Sequence, residues 1–322
     1  MRISRSSAWL ASMSAAAMAL TCLTAAPASA AAAPAHTVSR YVPLTGAASD
    51  ATAARDAGCA EGRTGRSGVR VLFFGTQESG GRLRHPGTTA GSTTPRVPVD
   101  NARAYAAQWA AGFAACRTGG ATAQLAMGVN NKSDGGVAGA TAGAEWARIV
   151  TQTARQVSSG PVTIVGAVDA EPSWSPRAWA RDWVDAFTGA TSRTLYAANS
   201  ADSCPTYGSS ATACANGWSL GDLHYVATGA ARSIHAIPQI YRTDGIQARQ
   251  WSAISSWGVR NGAGPVRFAG AMSQRMACDQ RGGCTNTNNT PTAAWTQLYE
   301  ELNAHSDTAV RELPYVTDMR WP

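Results

Sequence analysis

Residues 162–174 read V-T-I-V-G-A-V-D-A-E-P-S-W, a mostly apolar run that ends in two acids. Continuous apolar runs of this length, rather than alternating ones, are typical of parallel strands covered by helices on their faces. Six runs of the chain have this character, and we interpret them as strands: 69–75, 123–129, 162–168, 194–198, 234–241 and 266–271. The sequence therefore predicts a largely parallel α/β fold.

Between these runs, large residues recur every three or four positions and so lie on one face of a helix. The recurring residues include Trp109 and Phe113 in one interval and Trp183 and Phe187 in another. We interpret the tryptophans as residues that pack the helices against the sheet rather than as sugar-binding residues. Strands and helices alternate with no internal linker, which predicts a single domain.

Polar residues follow the predicted strands. They are Gln77, Asn130, Asp169, Glu171, Asn199, Gln239, Tyr241 and Ser273. In a closed barrel these residues would meet at one mouth, whereas an open doubly wound sheet usually binds its ligand in one crevice beside a glycine-rich loop. No glycine-rich phosphate motif follows a predicted strand. We therefore predict a single TIM-like (β/α) barrel, which need not be regular.

The N-terminal region differs from the rest of the chain. Two arginines precede an alanine-rich apolar segment that ends in P-A-S-A. This order is typical of a secretory signal peptide, so we predict that residues 1–30 are removed and that the protein is exported to the extracellular space. We predict a flexible leader over residues 31–48 and the barrel domain over residues 49–322. Later apolar runs break within about 10 residues, too few to span a membrane.

The charge of the chain is modestly positive, with 27 basic and 20 acidic residues and a net charge of +7. Residues 1–30 hold two arginines and no acid, so their removal leaves 25 basic residues against 20 acids, or +5. The basic residues are dispersed rather than clustered, and we expect no nucleic-acid partner. A weak attraction to anionic cell walls is compatible with this charge.

Six cysteines follow the predicted signal peptide, an even number that favours disulfide bonds in an exported protein. The predicted pairs are Cys204–Cys214 and Cys278–Cys284, each across a short polar loop, which leaves Cys59–Cys116. The chain has no C-x-x-C or H-E-x-x-H pattern, and its five histidines lack the spacing of metal ligands. We therefore expect neither a metal site nor another cofactor.

Asp169 and Glu171 are the polar residues with the clearest chemical meaning. Side chains two apart on a strand point the same way, with Cα atoms about 6.5 Å apart, so both acids should enter the barrel mouth. Two carboxyls in a confined site repel each other, which keeps one protonated near neutral pH, as glycoside hydrolysis requires. We predict both acids as catalytic residues and Trp174 as a platform for a sugar ring. Alternatively, the acids cap the next helix or pair with Arg177.

Three motifs of the chain resemble a known group of proteins. They are D-A-E-P-S-W at 169–174, L-Y-A-A-N-S-A-D-S-C-P at 195–205 and I-P-Q-I-Y at 237–241. The motifs look like those of secreted, largely uncharacterised actinobacterial proteins that are glycoside-hydrolase-like (β/α) barrels, and the similarity covers about residues 50–322.

A D-x-E at the end of a barrel strand is also distantly similar to the motif of chitinase-type and lysozyme-type barrel hydrolases. In those enzymes the glutamate is the general acid and the aspartate supports it, so the resemblance implies these roles for Glu171 and Asp169. The longer D-x-x-D-x-D-x-E pattern of chitinases is absent, because Ile164 and Ala167 stand at its first two aspartate positions.

The other polar residues of the predicted mouth are candidates for substrate binding. They are Gln77, Asn130, Asn199, Asp202, Gln239 and Tyr241. Gln239 and Tyr241 should share a face, where an amide or a phenol would hold sugar hydroxyls or an acetamido group. Asp202 is the candidate second carboxylate if Asp169 is structural. Residues 78–98 have the length and composition of a flexible flap over the mouth.

The sequence favours a secreted glycoside hydrolase-like protein that acts on a polysaccharide or a cell-wall glycan. One alternative is a barrel that binds glycan without cleaving it, because fold does not determine function. Another is a secreted serine esterase, since residues 217–221 match the G-x-S-x-G pattern around Ser219. No buried strand precedes that pattern, however, and Asp222 three residues after Ser219 indicates the start of a helix.

Overall fold

Ten strands are present in the computed structural model, which describes residues 31–158 and 160–322. They are β1 (Thr37–Tyr41), β2 (Gly68–Glu78), β3 (Arg82–Arg84), β4 (Val97–Pro98), β5 (Ala123–Asn130), β6 (Val162–Asp169), β7 (Leu195–Ala197), β8 (Ile234–Ala236), β9 (Gly270–Ser273) and β10 (Tyr315–Arg320). Eight of these strands pair in parallel, while β3 and β4 extend β2 in antiparallel fashion. The predicted signal peptide lies outside the described residues.

The eight parallel strands follow one another around a ring in chain order: β1, β2, β5, β6, β7, β8, β9 and β10. The first and last strands of the ring pair with each other, from Thr37 opposite Thr317 onward. The seam between β8 and β9 is shorter and consists of two isolated parallel bridges, Ala236 with Phe268 and Gln239 with Met272. The predicted TIM-like barrel is confirmed, and the carboxyl ends of all its strands lie at one mouth.

Helices connect the strands and cover the outside of the barrel. They are α1 (Ala48–Arg63), α2 (Asp100–Cys116), α3 (Gly139–Gln156), α4 (Arg177–Ala190), α5 (Leu220–His224), α6 (Ile246–Arg260), α7 (Arg275–Gln280) and α8 (Pro291–Asn303). Their tryptophans pack against the sheet as predicted, since Trp109, Trp146, Trp183, Trp251 and Trp295 are at most 3% exposed. Among the described residues, no helix has the length and apolar character needed to cross a membrane.

The barrel begins earlier than the sequence predicts. Residues 31–48 are predicted to be a flexible leader, but β1 lies within them and pairs with β2 and β10. The sequence also predicts no strand at β10. Both strands place hydroxyl side chains inside the barrel, where Ser39 and Thr317 share a hydrogen bond of 2.7 Å. These polar residues interrupt the apolar pattern by which the other strands are recognised.

All three predicted disulfides are present: Cys59–Cys116, Cys204–Cys214 and Cys278–Cys284. The first joins α1 to α2, whose backbones approach each other closely. A Cβ atom at Gly58 would lie 2.0 Å from the carbonyl oxygen of Trp109, and one at Gly112 would lie 1.9 Å from that of Arg55. Glycine at both positions therefore permits the contact between helices that this disulfide joins.

Residues 78–98, predicted as a flexible flap, are held in the fold by paired strands and charges. Both β3 and β4 lie within this segment. The fully buried Arg84 binds Glu78 at 3.0 Å and Asp134 at 2.6 Å, and Arg96 binds Glu78 at 2.9 Å. The segment is therefore an anchored extension of β2 rather than a free flap.

Candidate functional site

Asp169 and Glu171 lie at the mouth of the barrel. Asp169 ends β6 in register with Asn130 of β5, and Glu171 follows in the loop before α4. Asp169 is 1% exposed, whereas Glu171 is partly exposed. Neither carboxyl forms an ion pair within the described residues, and Arg177 instead binds Asp222 at 3.5 Å. The two acids are therefore together without a cation in direct contact.

Gln239 connects the two acids. Its Nε2 atom donates to Asp169 Oδ1 at 2.9 Å, to Glu171 Oε1 at 3.1 Å and to the carbonyl oxygen of Ala198 at 3.0 Å. An amide nitrogen carries two hydrogens, so the three acceptors share them. Gln239 reaches this place because the segment after β8 pairs with Met272 of β9. The closing seam of the barrel thus holds the two carboxyls at a fixed separation.

Asn131 holds the backbone around Glu171, a contact that the sequence does not predict. Its Oδ1 atom accepts from the Glu171 N–H at 3.0 Å, and its own N–H donates to the Asp169 carbonyl at 3.0 Å. Its Nδ2 atom donates to Ser175 Oγ at 2.8 Å. The only sequence signal for this residue is its position directly after β5. Asn131 therefore fixes the loop that presents the acid pair.

Burial raises the pKa of both carboxyls. The pKa of Asp169 lies well above its ordinary value because of burial, the negative charge of Glu171 and a hydrogen bond to Glu171. Burial raises the pKa of Glu171 to about 7, although hydrogen bonds from Gln239 and Asp169 lower it. The positive charge of Lys132 opposes both shifts. Such close groups titrate as a pair, and this pair retains a proton near neutral pH.

Two buried amide atoms at the mouth find no hydrogen-bond partner within the described residues: Asn130 Oδ1 and Asn199 Nδ2. The other end of the Asn199 amide is used, because its Oδ1 atom accepts from the Ala170 N–H at 2.8 Å. Buried polar groups in proteins are nearly always paired with protein or with water. These atoms are therefore available to a bound substrate or to water.

The charges of the acid pair act on two tyrosines. The pKa of Tyr41 is raised by burial and then by the charges of Asp169 and Glu171. Burial and then Tyr41 raise the pKa of Tyr241, and the same two acids add to this shift. The Tyr41 ring also stacks on Trp321, with ring centroids 4.5 Å apart. Sequence reasoning missed Tyr41 and Trp321, because Tyr41 ends the unpredicted strand β1 and Trp321 follows the unpredicted strand β10.

Trp174 also lies at the mouth, but one face of its ring is occupied. The Nζ atom of Lys132 lies 5.0 Å from the ring centroid. The Ser133 N–H donates to the Trp174 carbonyl at 3.5 Å, which joins the two loops. Lys132 is the only lysine of the chain, and its place over Trp174 depends on this contact between two loops.

Gln77 faces away from the mouth. Its Nε2 atom donates to the Ala142 carbonyl at 2.9 Å, and its Oε1 atom accepts from Trp183 Nε1 at 2.8 Å. Gln77 thus links β2 to α3 and α4. The register of β2 shifts between Phe73 and Thr76, and such a bulge changes which side chains point inward. This corrects the expectation that Gln77 binds substrate.

Asp202 is exposed at the rim of the mouth. Its Oδ1 atom accepts from Gln247 Nε2 at 3.1 Å, and Gln247 Oε1 in turn accepts from the Tyr241 N–H at 2.6 Å. The charge of Asp202 contributes to the raised pKa of Glu171. Asp202 is therefore a third carboxyl near the acid pair, although it does not contact either acid.

Ser219 makes the contacts of a helix cap. Its Oγ atom accepts from the Asp222 N–H at 3.2 Å, while Asp222 Oδ2 accepts from the Ser219 N–H at 3.0 Å. These reciprocal bonds form a capping box at the start of α5. Within the described residues no histidine forms a hydrogen bond with Ser219, and the nearby His224 bonds to the Gly264 carbonyl. The interpretation of Ser219 as a cap is confirmed.

Neither a metal site nor a known relative identifies the chemistry of the mouth. In the part of the chain that the structure describes, no group of three or more histidine, cysteine or acidic side chains is arranged to hold a metal ion. No protein-family model matches the chain, and no curated protein matches its sequence.

Proposed function

We propose that the chain is a secreted glycoside hydrolase that acts on a polysaccharide or a cell-wall glycan. The carboxyl pair at the mouth carries this proposal, because Asp169 and Glu171 share a donor and have raised pKa values. A carboxylic acid that is protonated near neutral pH is what cleavage of a glycosidic bond requires. The three disulfides support export, since such bonds persist in oxidising compartments.

Glu171 is the general acid in this proposal. It is the partly exposed member of the pair, and its pKa of about 7 keeps a proton on a large fraction of molecules at neutral pH. The proton passes to the glycosidic oxygen as the bond between that oxygen and the anomeric carbon breaks, and the bonding electrons stay on the oxygen. Water then adds to the anomeric carbon and releases a proton, which restores the acid.

Asp169 assists this step from its buried position in the mouth. Its 1% exposure and its hydrogen bond from Gln239 favour an electrostatic and positioning role over direct attack on the sugar. When the shared proton leaves the pair, both carboxyls become negative. That charge stabilises the positive charge that develops at the anomeric centre. Asp202, which is exposed nearby, is the alternative source of a second carboxylate.

The polar groups around the acids suit the recognition of a sugar. Within the described residues, Asn130 Oδ1 is an unused acceptor and Asn199 Nδ2 an unused donor. Sugar hydroxyl and acetamido groups both donate and accept hydrogen bonds, so they can pair with both atoms. The charges of the same acids act on the phenol of Tyr241. These residues bind and orient the substrate in our proposal, while Gln239 holds the acids.

The test is whether the protein that comprises residues 31–322 releases new reducing ends from chitin, peptidoglycan, β-glucan or arabinan. We expect the Glu171→Gln variant to lose about 10²- to 10⁴-fold in rate, the usual contribution of a general acid. Glu300→Gln is the matched control, because Glu300 is exposed on α8. Circular dichroism of all three proteins checks that each remains folded.

The outcomes separate the competing functions. Release that Glu171→Gln abolishes and Glu300→Gln preserves supports the hydrolase. Equal release by all three proteins removes Glu171 from the mechanism and directs attention to Asp202. If no glycan is cleaved while some glycan is bound, the chain is a glycan-binding barrel.

A further inference from the structure

Two cations lie over aromatic rings on opposite sides of the mouth. Lys132 Nζ is 5.0 Å from the ring centroid of Trp174, and the guanidinium carbon of Arg281 is 3.8 Å from that of Trp321. Lys132 and Trp174 follow the third and fourth strands of the ring, whereas Arg281 and Trp321 follow the seventh and eighth. In a ring of eight strands these positions face each other. A ligand that crosses the mouth above the acids therefore passes between the two cations.

Both cations are held in place by the fold. The Ser133 N–H donates to the Trp174 carbonyl, so the loop that carries Lys132 is tied to the ring beneath it. Arg281 lies within the loop that the Cys278–Cys284 disulfide closes. The Trp321 N–H donates to Gln280 Oε1 at 2.9 Å, which ties β10 to that loop. A ligand therefore meets charges that are already oriented, which reduces the entropy lost on binding.

The acids in the two loops that carry these cations are paired with other arginines. Asp134, in the Lys132 loop, binds Arg84 at 2.6 Å, and Asp279, in the Arg281 loop, binds Arg275 at 3.0 Å. Within the described residues, neither Lys132 nor Arg281 has a carboxylate partner of its own. A cation that is placed against an aromatic ring and lacks an anion is suited to bind one from a ligand.

The ring of Trp321 is covered on both faces. Tyr41 stacks on it at 4.5 Å, and Arg281 lies 3.8 Å from its centroid. Two planar groups at these distances do not fit on one face, so they occupy opposite faces. Stacking of a neutral sugar needs an open ring face, which Trp321 does not offer. The ring instead supports a cation at the rim.

We infer that the mouth accepts an anionic glycan, whose carboxylate or sulfate groups bind Lys132 on one side and Arg281 on the other. The guanidinium of Arg281 matches an oxyanion with two parallel hydrogen bonds, and Lys132 acts as a point charge. The inference rests on the proposed function, because it names the substrate class of the same mouth. Binding is nevertheless measurable without cleavage.

The experiment is calorimetric titration of the Glu171→Gln protein, which prevents turnover. The ligands are oligogalacturonate and oligoglucuronate, each with its methyl ester, and a sulfated dextran oligosaccharide with its unsulfated form. We expect at least one charged ligand to bind about tenfold more tightly than its uncharged form, and binding to weaken with added salt. Adding Lys132→Gln or Arg281→Gln should each weaken the binding of that charged ligand by about threefold, half of the charge-dependent free energy.

Arg311→Gln is the control, since Arg311 is an exposed arginine in the loop that leads into β10, at the other end of the barrel. Binding that it leaves unchanged, while the two mouth variants weaken it, supports the inference. A preference for the carboxylated or the sulfated ligand identifies the anionic group. Equal affinity for charged and uncharged forms, no binding, or equal effects of all three substitutions would overturn it.

The two proposals fail separately. Charge-dependent binding without cleavage by the wild-type protein keeps the anionic glycan and removes the hydrolase. Cleavage restricted to neutral glycans, lost in Glu171→Gln, keeps the hydrolase and removes the anionic substrate.

Discussion

Two buried clusters of ionisable groups in this protein balance their charges in opposite ways. Glu61 of α1 binds the fully buried Arg70 of β2 at 2.9 Å, and Arg70 also donates to the carbonyl of Gly68. At the mouth, by contrast, the two acids Asp169 and Glu171 lie beside each other. The first cluster is a satisfied pair of opposite charges that joins α1 to the barrel. The second has a free-energy cost, and in the proposed hydrolase the proton that this pair retains is the one used for cleavage.

The largest effect on stability is expected from breaking the satisfied pair. Glu61→Gln leaves the Arg70 cation buried without an anion, and we expect the free energy of unfolding to fall by about 3 kcal/mol. The amide oxygen still accepts a hydrogen bond, which keeps the loss at the lower end of the range for such pairs. Urea denaturation at pH 7 measures it, with Glu300→Gln as the exposed control. A loss no larger than that of the control would contradict the contrast between the clusters.

The same substitution at the mouth is expected to have the opposite sign. Folding raises the pKa of Glu171 from 4.5 to about 7, so the folded state binds more protons and the wild-type protein loses stability as the pH rises between these values. Glu171→Gln removes this loss, and we expect the variant to be more stable than wild type at pH 8 by about 1 to 3 kcal/mol.

Urea denaturation from pH 4 to pH 8 measures this difference. The gap between wild type and Glu171→Gln should widen as the pH rises. Parallel stability curves would show that Glu171 has no raised pKa in the folded protein.

A smaller effect is expected from the amide that connects the acids. The hydrogen bond from Gln239 lowers the pKa of both Asp169 and Glu171, so its removal in Gln239→Met should raise them. A general acid acts in its protonated form, and the wild-type rate should therefore fall above about pH 7. In Gln239→Met we expect this fall to move upward by about 0.5 to 1 pH unit.

Profiles of kcat/KM against pH measure that shift, and carboxyl NMR titration measures it without substrate. Gln250→Met is a matched control, because Gln250 is buried on α6 and donates to the Cys204 carbonyl rather than to a carboxylate. A downward shift in Gln239→Met would show that the amide does not stabilise the charged form of the pair.

The smallest effect is expected at Ser219. Ser219→Ala removes the N-cap of α5 and should lower the free energy of unfolding by about 1 kcal/mol without changing hydrolysis. Thermal unfolding and the reducing-end assay measure the two effects, and Ser219→Asn should restore most of the stability. Loss of activity with unchanged stability would instead identify Ser219 as a nucleophile.

The sequence predicts the barrel because most of its strands are apolar runs that can be recognised from their own residues. Runs such as 123–129 and 162–168 are apolar and lie where β5 and β6 are found. It fails at β1 and β10 because their inward side chains include Ser39 and Thr317, which bond to each other across the barrel. Each hydroxyl can be buried only because it forms a hydrogen bond with a residue on another strand. That partner is distant in sequence, so neighbouring residues do not indicate that the hydroxyl lies inside the barrel.

The same limit applies to the mouth. The spacing of Asp169 and Glu171 predicts that they lie close together, since side chains two residues apart on a strand point the same way. The orientation of Gln77 depends on a register shift between β2 and β5, which no pattern of residue types reveals. Its side chain therefore points between α3 and α4 instead of into the mouth.

The sequence by itself determined the barrel class, the two short-loop disulfides, the core tryptophans and the position of the acid pair, because each depends on local periodicity or spacing. The third disulfide, Cys59–Cys116, followed only as the pair that remained. Tertiary structure alone decided that Gln239 bridges those acids and that Tyr41 and Trp321, from the two ends of the domain, stand beside the mouth. It also set Lys132 opposite Arg281. These contacts join distant segments, and closure of the ring brings them within reach.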